Sequence, residues 1–141
     1  MQFTNIHSHG NTRLTFDSYS WGLAKLLQQQ RRNNSLGTFD FAYLDGSHTF
    51  IHDAPAAILL TEMVKPGGYL LLDDLNWTFS TSPSMNPTMR PEVATWFTNE
   101  QISTKQVSMI CELFLEHDPK LCRNTMDGKI SSGRALYRKA A

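Results

Sequence analysis

"FDFAYLDGSHTF", residues 39–50, decides how this chain is read. Phe39 to Leu44 is a short, mostly apolar run of the kind a buried strand uses. Asp45, Gly46, Ser47 and His48 follow at once, so titratable groups sit directly on a strand end. Downstream, "DAPAAILLTEMV" (53–64) has Asp53 as N-cap, a proline in the first turn, and Ala57, Leu60 and Met63 on one helical face. "KPGG" (65–68) stops that helix, and "YLLL" (69–72) is an apolar run expected of a parallel strand covered on both faces. Strand, crossover helix and strand predict a right-handed βαβ unit with parallel strands.

The flanks continue the alternation. "RLTF" (13–16) reads as a strand, and "WGLAKLLQQQRR" (21–32) as a helix carrying Leu23, Leu26 and Leu27, stopped by "NNSLG" (33–37). Residues 75–91 hold three prolines among Ser, Thr, Asn and Met and read as a long lid-like loop over the strand ends. Helices are expected over 92–99 and 107–115, the second with Val107, Ile110, Cys111 and Phe114 on one side. "GRALYRK" (133–139) closes the chain as a strand. Such alternation marks an α/β layer architecture, and 141 residues make one domain.

Lys plus Arg and Asp plus Glu number 13 each, so no basic field attracts nucleic acid or an anionic membrane. No stretch approaches the roughly 18 apolar residues of a spanning helix, and the first residues lack the pattern of a signal peptide. The expected compartment is the cytoplasm, with Cys111 and Cys122 as free thiols.

Ligands of open α/β sheets bind at the carboxyl ends of strands. Asp45 occupies one such end, and Asp73 and Asp74 another. If the two strands are neighbours, roughly 5 Å apart, three carboxylates converge, and a cation must relieve their repulsion. An all-oxygen cluster suits a hard ion such as Mg²⁺. The plainer alternative is that Asp45-Gly46 is an ordinary turn and Asp73-Asp74 the start of a solvated loop.

"FDFAYLDGSHTF" and "LLTEMVKPGGYLLLDDLNW" together resemble the class I S-adenosylmethionine-dependent methyltransferases, in the branch of small-molecule O-methyltransferases that includes the catechol, caffeoyl-CoA and macrolide-sugar enzymes. The likeness runs over nearly the whole chain. It implies a Rossmann-like sheet, mostly parallel with a C-terminal antiparallel strand, truncated at its N-terminal side: the first strand, the glycine-rich loop and the ribose-binding acid of that family have no counterpart here, and no Gly-x-Gly occurs. The resemblance implies S-adenosylmethionine as cofactor, with Asp17 and Ser18 near its adenine and Asp45 and Gly46 beside it. It matches the family's metal ligands to Asp45, Asp73 and Asp74. His48 falls where a catalytic base stands, although a loop-orienting hydrogen bond is an equal reading. Trp77 either walls the acceptor pocket or packs.

The function so implied is methyl transfer to a hydroxyl oxygen of a small molecule. Its rival is an inactive remnant that binds a partner, because a sheet without its first strands exposes an edge and an apolar face that a second copy or another chain would cover. His7-x-His9 and His48-x-x-x-His52 lack the thiolates of a zinc site. Lys120, Arg123, Arg134, Arg138 and Lys139 read as a solvated surface.

Overall fold

The computed structural model describes residues 18–124, 130 and 132–141. The expected strand at 13–16, Asp17, His7 and His9 lie outside the described residues. Helix α1 (Tyr19–Arg32) starts where the Ser18 hydroxyl accepts from the Trp21 amide at 3.3 Å, and ends with Arg31 and Arg32 on its negative pole. Strand β1 (Phe39–Leu44) has the bounds its apolar run suggests.

Helix α2 (Phe50–Met63) begins earlier than expected. Its N-cap is Thr49 rather than Asp53, and the first amide, of Phe50, donates to Gln106 Oε1 at 2.7 Å. A side chain 56 positions away thus supplies the missing acceptor, which no local pattern signals. Pro55 accordingly falls in the second turn, at an exposed position. Ala57, Leu60 and Met63 are buried as expected.

Strand β2 (Val64–Leu72) pairs with β1 in parallel, with Tyr43 opposite Leu71 and Leu44 opposite Leu72. The register shifts between Phe39 and Phe41, where Lys-Pro-Gly-Gly bulges out. Gly67 has φ +79°, and a Cβ at Gly68 would lie 2.8 Å from the Asp40 carbonyl oxygen, so both glycines are required by the backbone path.

Beyond the loop at 75–91 come α3 (Val93–Trp96), α4 (Asn99–Ser103) and α5 (Gln106–Ile110), the last continuing into a π-turn over Cys111–Leu115. The Glu116 amide reaches back five residues to the Cys111 carbonyl, at 2.9 Å. That wider turn shifts the helical phase, so Leu115 is buried and Phe114, expected on the inner side, is 37% exposed. Strands β3 (Leu121–Asn124) and β4 (Ala135–Lys139) are antiparallel to each other, and β4 is antiparallel to β2.

The sheet order is β1-β2-β4-β3. Among the described residues it is mixed rather than mostly parallel, with one parallel and two antiparallel pairings. Ala42, Leu44, Leu70 and Leu72 form one core with Ala57 and Leu60 of α2 and Val107 and Ile110 of α5. Helix α1 packs on α2, and no described helix covers the β1 part of the opposite face, although Leu136 on that face is buried. Phe41 and Tyr43 are therefore 55% and 47% exposed, and the expectation of strands covered on both faces is not met among the described residues. No described helix is long and apolar enough to cross a membrane.

Candidate active site

The rim of the sheet follows from the register. Leu44 and Leu72 end their strands side by side, and the Asp73 amide donates to the Leu44 carbonyl at 3.1 Å, which carries the pairing one residue further. Asp45, His48 and Asp74 then each place a potential ligand atom within 4.8 Å of the others. His48 Nε2 stands 3.5 Å from Asp74 Oδ2. Both residues adopt left-handed backbone, φ +59° for His48 and +57° for Asp74, an uncommon conformation for non-glycine residues, which Asp and His tolerate better than most and which surrounding contacts hold.

Asp73 takes a different course. Its carboxylate receives Arg134 Nε at 3.0 Å on both oxygens and Arg134 Nη2 at 2.9 Å, the Tyr43 hydroxyl, and the Asp74 amide at 2.9 Å. The Arg134 guanidinium holds the carboxyl well below its ordinary range, down to about 2. The same contact raises Arg134, and the Tyr43 phenol is raised by its bond to Asp73. The structure thus brings Asp45, His48 and Asp74 together and points the Asp73 carboxylate at an arginine. Arg134, expected to be merely solvated, is an anchor of this rim. Lys139 also departs from that expectation, donating to the carbonyls of Thr61 at 2.7 Å and Val64 at 2.9 Å where α2 gives way to β2.

Trp77 lies against His48, ring centroids 5.1 Å apart, and its amide donates to the Asp74 carbonyl at 3.0 Å. Trp77 contacts Phe79, and Phe79 contacts Phe97, at 4.8 and 4.5 Å. Phe79, Val93 and Ile102 make a second small core under the loop at 75–91, so that loop is packed and internally bonded, with Thr78 and Ser82 buried. Between this loop and residues 46–52 is an open cavity of about 410 Å³, walled by Trp77, Phe79, Trp96 and Phe97 with His48 and His52 at its polar side. His52 Nδ1, in the first turn of α2, pairs with Oγ1 of the N-cap Thr49 at 2.7 Å.

Ser18 spends its hydroxyl on capping α1, one residue before Tyr19, whose own hydroxyl lies 3.2 Å from Ser47 Oγ. Gly46 is explained by packing: a Cβ there would fall 2.0 Å from Asp53 Oδ1. Sequence reasoning missed Asp53, which is 1% exposed, and the partners Tyr19, Tyr43 and Arg134. A signal for Asp53 existed, since it stands four residues before Ala57 and seven before Leu60, on the same buried stripe of α2.

No protein-family model matches the chain, and no curated protein matches it in sequence. Among solved structures it is similar to the MycE methyltransferase from the mycinamycin biosynthetic pathway in complex with Mg, SAH and mycinamycin VI. That likeness has 19% identity and a TM-score of 0.48, over 87% of this chain and 30% of that chain. A second crystal form of MycE, with Mg and SAH, gives 18% identity, a TM-score of 0.44 and the same coverage. The chain therefore spans 30% of the length of these structures.

The two carboxylates at this rim, on a side open to water, suit a hard divalent cation, whereas the His48 imidazole beside them is a donor that borderline transition-metal ions accept more readily. The described residues contain no glycine-rich loop of the kind that cradles a nucleotide-like cofactor.

Proposed function

We propose that this chain carries the acceptor-side half of a methyltransferase site, and that it transfers a methyl group from S-adenosylmethionine to a hydroxyl oxygen of a small molecule. The single observation that supports this most is the meeting of Asp45, His48 and Asp74 at the shared end of two parallel strands. Asp45 and Asp74 hold the cation in this reading, and Asp73 joins them only by leaving Arg134. A cation bound there would act as Lewis acid toward the acceptor hydroxyl. His48, 3.5 Å from Asp74 and open to the aromatic-walled cavity, takes the hydroxyl proton on Nε2. Trp77 fixes the His48 ring from one side and offers its face to the acceptor. Ser18, Asp17, Asp45 and Gly46 remain the cofactor contacts proposed for this chain. The cytoplasm remains the proposed compartment.

A second reading is favoured by the exposed apolar residues of β1, where Phe41 and Tyr43 stand 55% and 47% exposed. In it the chain is a binding module or homodimer that buries these residues. Calorimetry with S-adenosylmethionine and Mg²⁺, run beside light scattering, separates the two. Micromolar cofactor binding that a chelator weakens supports the enzyme; a stable dimer with no cofactor binding supports the module and overturns the first reading.

A further inference from the structure

We propose that Asp53 is a positioning residue: its buried carboxylate, with the Tyr19 hydroxyl, clamps Gly46 and Ser47 and so holds His48 in the left-handed conformation that sets its imidazole against Asp74 and Trp77. The proposal rests on the reading of His48 given above only for what the posture is used for; the clamp itself stands on the contacts.

A non-glycine residue at φ +59° is uncommon and is held there by its neighbours. His48 has such neighbours on both sides. Upstream, Asp53 Oδ1 accepts the Tyr19 hydroxyl and, at 3.2 Å, the Ser47 amide, and it fills the space where a side chain on Gly46 would begin. Tyr19 also lies 3.2 Å from Ser47 Oγ, so helix α1 and helix α2 grip the same two residues. Downstream, Thr49 is 5% exposed; its hydroxyl pairs with Ser47 Oγ and with His52 Nδ1, both at 2.7 Å, and its carbonyl accepts the amides of Asp53 and His52. With residues 46, 47 and 49 fixed, the turn between them falls on His48, which is where the left-handed backbone is found.

Burying a carboxylate is costly unless donors compensate it, and an acid in the first turn of a helix gains only modestly from the helix dipole. Asp53, at 1% exposure, accepts its compensating hydrogen bonds from the Tyr19 hydroxyl and from the Ser47 amide in the loop before His48. It does not face the cavity, so it acts through the backbone of its neighbours. A purely structural acid at this helix start would stabilise α2 and leave the His48 ring where it is.

The test reads the ring directly. In the intact chain, proximity to Trp77 displaces the His48 imidazole proton resonances from their free-histidine positions. Asp53→Ala is expected to lose more than half of that displacement, and Asp53→Asn, whose amide oxygen accepts from the same two donors, to retain it. Tyr19→Phe removes one donor and shows a smaller loss in the same direction; it also carries the test if Asp53→Ala does not fold. Mn²⁺ alone, as the probe of the rim, should bind Asp53→Ala about 10-fold more weakly. An unchanged ring displacement in folded Asp53→Ala and in Tyr19→Phe overturns the clamp. A collapsed displacement, in a chain whose wild type binds no Mn²⁺, upholds the clamp and instead removes the cation from the proposed function.

Discussion

After β1 the chain is held from beneath, by a buried carboxylate on the following helix; after β2 it is held from outside, by an arginine that arrives from 61 residues away. The first hold engages the hydroxyls of Ser47 and Thr49 and leaves Asp45 and His48 to face the rim. The second consumes one of the two acids it positions: Asp73 is paired to Arg134 and Tyr43, while Asp74, turned by its left-handed backbone, faces Asp45 and His48. Two adjacent aspartates therefore divide the work, one anchoring and one presenting. The rim gathers two carboxylates and an imidazole instead of three carboxylates, which lowers the repulsion it must carry before any cation arrives.

That division can be broken most severely at the presenting residues. Asp45→Ala or Asp74→Ala should each weaken Mn²⁺ binding by about 100-fold or more, beyond what loss of a supporting contact costs; calorimetric titration reads it. His48→Ala, assayed with radiolabelled cofactor, should lower the methyl-transfer rate about 100-fold, and an unaltered rate would reduce His48 to a loop residue. At the anchoring acid the effect is smaller: Asp73→Ala should change Mn²⁺ affinity by less than about 10-fold, and a loss equal to that of Asp74→Ala would show that Asp73 leaves Arg134 to bind metal.

The smallest effect concerns pH. Asp73 is held at about 2 in the folded chain against an ordinary 3.8. A carboxyl lowered by folding contributes stability that is fully present above its unfolded value and fades as pH falls through the folded one. Arg134→Ala should therefore lower the melting temperature by its full amount above about pH 4, and the gap from wild type should close toward pH 2. A gap that stays constant across that window would mean the arginine stabilises by packing.

Much of this was legible in the sequence because it is local. The apolar run at 39–44 is the strand β1, α2 ends just before Lys-Pro-Gly-Gly although that stretch runs as a bulge inside β2 rather than as a turn before it, and Asp45 and Asp74 meet because parallel strands in register end together. What could not be read depends on partners far along the chain. Gln106 caps α2 and moves its start back from Asp53, Arg134 claims Asp73, and Tyr19 completes the hold on Ser47. The π-turn at Cys111–Leu115 exchanged Phe114 for Leu115 in the core, since an apolar stripe read at the α-helical period has no way to register a wider turn.

The most direct measurement is a Mn²⁺ titration followed by NMR of the backbone amides and histidine rings. Selective broadening at Asp45, Gly46, His48 and Asp74 at low Mn²⁺, reversed by excess Mg²⁺, is the predicted result. Broadening centred elsewhere, or spread evenly over the exposed acids, would contradict a cation site at the joined ends of β1 and β2.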